Sequence, residues 1–121
     1  MPAHYIIDAE NRVVLTIFRG VLTVRDAVEQ RDRLHNDPAF NPDFCELIDF
    51  NAVSETEMSR ADFTSFLAMD PFSTASKHAL VVNSLNSVYG AAGMYRTMRS
   101  ERIPVRIFKT FNEALDWLAE N

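Results

Sequence analysis

Asp49 ends an apolar run, Cys45-Glu46-Leu47-Ile48-Asp49-Phe50, and the stretch from Asn51 to Met58 then leads to Ser59-Arg60-Ala61-Asp62, which has the form of a capped helix start. In an open α/β sheet the carboxyl ends of strands and the first turns of the following helices face the crevice where ligands bind. A carboxylate placed there suits proton transfer or ion pairing, and its candidate partner is Arg31. That arginine sits inside the apolar stripe Val24, Ala27, Val28 and Leu34. It has two readings: a guanidinium turned inward to an acid such as Asp49, lining a polar site, or a stem packed on apolar surface with its head in water. The second is the expectation.

No nucleophile elbow G-x-S-x-G, phosphate loop G-x-x-x-x-G-K, zinc motif H-E-x-x-H or C-x-x-C pair occurs in the sequence. His4, His35 and His78 fall near a strand start, a helix end and another strand start. A helix C-terminus accounts for His35 through the dipole. No catalytic residue, metal site or cofactor is expected. Asp8, Asp49, Ser84 and Lys109 lie at or just past predicted strand ends, as the acids, Ser/Thr and Lys of bacterial response-regulator receivers do. A receiver needs a helix between its first two strands, whereas here only Ala9-Glu10-Asn11-Arg12 joins them, and no proline follows Lys109. A degenerate receiver is therefore an alternative reading only.

Several remaining features point to binding. Arg96, Arg99, Arg102 and Arg106 concentrate positive charge in an acidic chain. They are read as solvated charges at a helix C-terminus, with peripheral contact to an anionic lipid headgroup or an acidic partner as the alternative. Gly90 and Gly93 leave one helix side bare, which favours close approach of a second subunit or a ligand and makes a homodimer the expectation. The Met and aromatic residues of the later helices are mostly core. Phe66, Met69, Tyr89 and Met94 among them are the candidates for an adaptable apolar pocket between the Ser59 and Tyr89 helices.

The elements that must position these groups follow from periodicity and caps. His4 to Asp8 and Val13 to Phe18 are predicted to pair as a hairpin, with Gly20 closing the second strand. Thr23 with Asp26 starts a helix that runs to about His35 and stops at Asn36-Asp37-Pro38. Strands are predicted at Cys45 to Phe50, Ala79 to Val82 and Val105 to Phe108. Helices are predicted from Ser59 to Pro71, from Ser87 to Arg99, and from Thr110 onward with Ala114, Leu115, Trp117 and Leu118 facing inward. The order β-β-α-β-α-β-α-β-α implies a mixed five-stranded sheet, an antiparallel hairpin with the remainder parallel, and four helices.

At 121 residues and 47% hydrophobic content the chain suits a single domain spanning residues 1–121. A formal charge of −5 argues against nucleic acid as a partner. No apolar run approaches the ~20 residues of a membrane span, and the start lacks a signal-peptide pattern, so a cytoplasmic location is expected. The one cysteine, Cys45, cannot form an internal disulfide.

Tyr5 and Gly20 in the hairpin, Leu47-Ile48-Asp49-Phe50, His78-Ala79-Leu80-Val81-Val82, Tyr89-Gly90-Ala91-Ala92, Val105-Arg106-Ile107-Phe108 and Glu113-Ala114-Leu115-Asp116-Trp117-Leu118 together resemble the small bacterial SpoIIAA-like, or STAS-like, proteins over nearly the whole chain. The resemblance implies a superhelix of β-α units with strands in nearly sequential order and no catalytic machinery. It also implies regulation by binding a protein partner or, in the branch likened to CRAL-TRIO domains, binding of a lipid-like apolar small molecule. In anti-anti-sigma members the corresponding loop carries a phosphorylated serine. Ser59 is the matching candidate phosphoacceptor here, although Met58-Ser59-Arg60-Ala61 lacks the preceding acid and the glycine. A helix cap is the other role open to Ser59. From a different class, a small enzyme built on Asp49 and Arg31 is the alternative.

Overall fold

The computed structural model describes residues 3–83, 89–99 and 104–120, apart from the side chains of Ala91, Met94, Met98 and Arg99. Its elements run β1 (Ala3–Asp8), β2 (Val13–Leu22), α1 (Val24–His35), β3 (Cys45–Thr56), α2 (Arg60–Ala68), β4 (His78–Val81), α3 (Tyr89–Arg99), β5 (Val105–Phe108) and α4 (Phe111–Ala119). The sheet order is β1-β2-β3-β4-β5, so every strand lies beside its neighbours in sequence. β1 and β2 are antiparallel, and the other three pairings are parallel. A hairpin, with no helix between β1 and β2, excludes the receiver topology.

Caps fix where the helices begin. Thr23, Ser59 and Thr110 each accept a hydrogen bond from the backbone N–H three residues on, leaving fewer first-turn amides unsatisfied. At the hairpin, Asp8 accepts from the backbone N–H of Asn11 at 3.1 Å and from its side-chain amide at 2.7 Å. Arg12 completes the turn at φ 59°.

Period-two alternation then sorts the strand residues between two faces. One face carries Phe18, Ile48, Phe50 and Leu80 under Ala27 of α1, Phe63 and Phe66 of α2, and Ala92 and Tyr95 of α3. The opposite face carries Leu15, Leu47, Ala79 and Val81, and among the described residues it meets Ala114, Trp117 and Leu118 of α4. Sequential strand order has this consequence: crossovers of one hand that always step in the same direction place every connecting helix on the same side. The terminal helix alone is left for the other side. One helix about 10 Å wide covers roughly two strands spaced about 4.8 Å apart, so part of that face stays bare.

Three expectations are corrected. Gly20 does not close β2; it lies within a strand that continues to Leu22, at φ +67°, between two register shifts against β3. β3 does not end near Asp49 but runs to Thr56, its second half pairing with β2 alone. Leu115 does not face inward: it is 45% exposed. The expected helix start at Ser87, like Ser84 and Arg102, lies outside the described residues.

Candidate functional site

Glu46 occupies the middle strand of the sheet, beside Val14 of β2 and His78 of β4 in register. On that face it meets Thr16, one alternation further along β2, and the underside of α1. Arg31 reaches it with two parallel N–H···O bonds, from Nη1 at 2.5 Å and Nη2 at 2.7 Å. The Thr16 hydroxyl donates to the carboxylate at 2.6 Å and His78 Nδ1 at 2.9 Å. Gln30 links Thr16 to Arg31, and Ser76 joins His78 to the Phe44 carbonyl. The guanidinium also lies over the Phe66 and Phe72 rings, 4.8 and 5.3 Å from their centroids.

Burial pushes the Glu46 carboxyl up, but attraction to Arg31 and the hydrogen bonds from His78 and Arg31 outweigh it and hold the group well below the usual carboxylate range. Arg31 is correspondingly held above its ordinary value, Glu46 overcoming the cost of burial. A carboxylate offers about four lone-pair positions, and four donors occupy them here. Neither Arg31 nor Glu46 side chain is exposed at all. The cluster therefore locks α1 onto three strands and presents no base or nucleophile to a substrate.

Asp49 is not part of it. It lies three positions beyond Glu46, an odd step along the strand, so it points to the other face of β3, where its carboxylate accepts from the Asn51 backbone N–H at 2.9 Å. The polar pair of Arg31 and Asp49, the alternative reading of that arginine, is thus not assembled. Nor does Arg31 send its head to water: its partner is Glu46.

The candidates for an apolar pocket differ in exposure. Phe66 is buried against Tyr95, at 6.1 Å between ring centroids, while Met69 and Tyr89 are exposed. The Met94 side chain lies outside the described residues. Among the described residues, the gap where Phe63 and Phe66 meet Tyr95 and Phe18 has a volume of about 10 Å³, too little for a guest. Ser59 is exposed at the start of α2, its hydroxyl oxygen accepting from Asp62 N while Asp62 accepts from Ser59 N. A Cβ built on Gly90 or Gly93 would meet nothing within 4 Å. Of the arginine group, Arg96 is exposed, and Arg106 lies over the Phe108 and Trp117 rings at 5.6 Å.

Among the described residues, open space lies on the face that α4 covers. A groove of about 560 Å³ runs between α4 and the β1–β2 half of the sheet. Ile6, Leu15 and Leu47, aligned in register across three strands, form its floor, and Phe111, Leu115 and Leu118 form its wall. Asp8 and Asn11 at the hairpin and Asp116 on α4 are its polar lining. Ile6, Leu115 and Phe111 are 55%, 45% and 39% exposed, large apolar surface facing one space. The far side of α4 is tied down: Lys77 Nζ donates to the carbonyls of Trp117 at 2.8 Å and Glu120 at 2.6 Å, and lies over the Trp117 ring. This anchorage holds α4 toward β4 and β5 and keeps the groove open.

Sequence reading missed both Glu46 and the groove. The available signal for the groove was the breadth of the apolar arc on α4, since Phe111 and Leu115 extend it past what contact with one sheet needs. Glu46 was an acid inside a continuous apolar run, a position seldom occupied unless the charge is paired.

The chain resembles a solved structure of an uncharacterised protein from Shewanella loihica PV-4, described as a DUF3478 family protein with a SpoIIAA-like fold, at TM-score 0.68 and 16% identity. The match covers 96% of this chain and 93% of that one. It shows the fold: a SpoIIAA-like α/β sheet with four helices. No family model and no curated protein matches the chain. Among the described residues no helix is long and apolar enough to cross a membrane.

Proposed function

We propose that this protein is a non-catalytic binding module that holds a small apolar molecule in the groove between the β1–β2 hairpin and α4. The observation that carries the reading is the groove itself, about 560 Å³ in volume and floored and walled by apolar side chains. Its size falls within the roughly 300–1,000 Å³ of small-molecule sites, which are mostly apolar with a few polar groups at defined places. The buried acid, by contrast, is saturated with donors and out of reach of any substrate, which weighs against an enzyme built around Arg31. The sheet–helix junction is a preformed concavity on rigid elements, so binding requires little ordering of the protein.

The test is uptake of the neutral fluorophore N-phenyl-1-naphthylamine, followed by its emission. Saturable uptake by the parent protein and its loss in Leu115→Trp, which fills the groove from the α4 side, are the expected results. Uptake that is absent, or unaltered in that variant, would refute the reading.

A further inference from the structure

The groove is not electrically neutral, and its charge selects among apolar guests. Among the described residues its charged lining side chains are Asp8 and Asp116, and no lysine, arginine or histidine lines it. They belong to different elements, the hairpin end of β1 and the exposed side of α4, and flank the same apolar space. Asp8 is ionised at neutral pH, because the side-chain and backbone donors of Asn11 hold its carboxyl below the usual range. The chain as a whole carries a formal charge of −5, which adds a longer-range attraction for cations.

Resting on the reading of this groove as a ligand site, we infer that its guest is a cationic amphiphile: an alkyl or aryl body on Ile6, Leu15, Leu47 and Leu115, and an amine or guanidine head beside Asp8 or Asp116. A fatty acid of the same length meets repulsion at the same rim. A second copy of this chain docking groove to groove through a two-fold axis would set one acidic rim against another, an arrangement of like charges.

The experiment displaces N-phenyl-1-naphthylamine from the native protein with three ligands that share a chain and differ in head charge: decylammonium, 1-decanol and decanoate. At low salt the expected order of potency is decylammonium, then decanol, then decanoate, with about two- to fivefold between neighbours, the range of exposed ion pairs. Asp8→Asn keeps an oxygen to accept from Asn11, and Asp116→Asn changes an exposed position. Each is expected to narrow the spread between decylammonium and decanoate, and high salt is expected to narrow it in the parent. Equal potency of the three, or preference for decanoate, overturns the inference while leaving the groove as an apolar site. Failure of the fluorophore to bind overturns the site itself and this inference with it. Sedimentation of the same samples supplies the last arm: a dimer abolished by Leu115→Trp would give the groove to a second copy and overturn the cationic guest.

Discussion

Arg31 and Glu46 face each other through two hydrogen bonds of 2.5 and 2.7 Å, with neither side chain exposed to solvent. A pair of this kind gains less than its Coulomb energy suggests, because both ions lose their hydration. Its strength shows when one partner is removed and the other is stranded.

Arg31→Met is accordingly expected to cost about 3–5 kcal/mol in urea unfolding, leaving Glu46 buried without its cation. Adding Glu46→Leu to Arg31→Met should recover part of that loss, because no stranded ion then remains. A double variant as costly as the sum of the single changes would mean that the two residues act independently.

The same pair sets the response to acid. Glu46 is held below the usual carboxylate range in the fold and returns to about 4.5 on unfolding, so unfolding takes up protons in acid. Its contribution is complete above pH 4.5 and is lost progressively as pH falls below that value toward the lowered folded one. Stability measured between about pH 7 and about pH 3 should therefore decline in the parent and decline less steeply in Glu46→Gln, which has no proton to bind. Equal slopes would remove Glu46 from the account.

How much of this was legible depended on whether the signal was local. The hairpin, the parallel strands that follow it and the three caps at Thr23, Ser59 and Thr110 are written in adjacent residues, and they appear as expected. Gly20 misled because a glycine that ends a strand and one held at positive φ within a strand look alike in sequence. The outer half of β3 was hidden by its polar composition. It pairs on one edge only, and an extra residue moves the buried positions from Phe50 to Val53. The separation of Arg31 from Asp49 was implicit in the alternation of β3, but assigning faces required knowing which side α1 covers. The groove is less local still, since it arises from the placement of α1, α2 and α3 together on the opposite face.

Gly20 supplies a further expectation. A Cβ there meets no atom within 4 Å, so Gly20→Ala tests backbone conformation without a clash. At φ +67° the substitution should cost about 1–2 kcal/mol, measured by urea denaturation. No change would show that β2 can cross this point with ordinary dihedrals.

Ser59→Ala removes the hydroxyl that accepts from Asp62 N and should cost about 1 kcal/mol. Ser59 caps α2, which packs on the face opposite the groove, so uptake of the fluorophore should be preserved in the folded variant. Intact-mass measurement after incubation with serine kinases separately tests whether Ser59 accepts phosphate, and an unchanged mass would leave it the cap alone. Loss of uptake in folded Ser59→Ala would couple α2 to the groove and contradict the separation of the two faces.

The two candidate pockets can be set against each other directly. Tyr89 stands 40% exposed at the start of α3, and Leu115 stands 45% exposed on α4, so each can be changed with little effect on tight core. If the apolar guest sits between α2 and α3, Tyr89→Ala should weaken uptake and Leu115→Trp should not. With the groove as the site, the outcome reverses: Leu115→Trp places an indole in the space bounded by Ile6, Leu15 and Phe111, while Tyr89→Ala acts on the far side of the sheet. Loss of uptake is expected in Leu115→Trp alone, with thermal unfolding confirming that both variants remain folded. Loss confined to Tyr89→Ala would return the binding site to the helices on the other face.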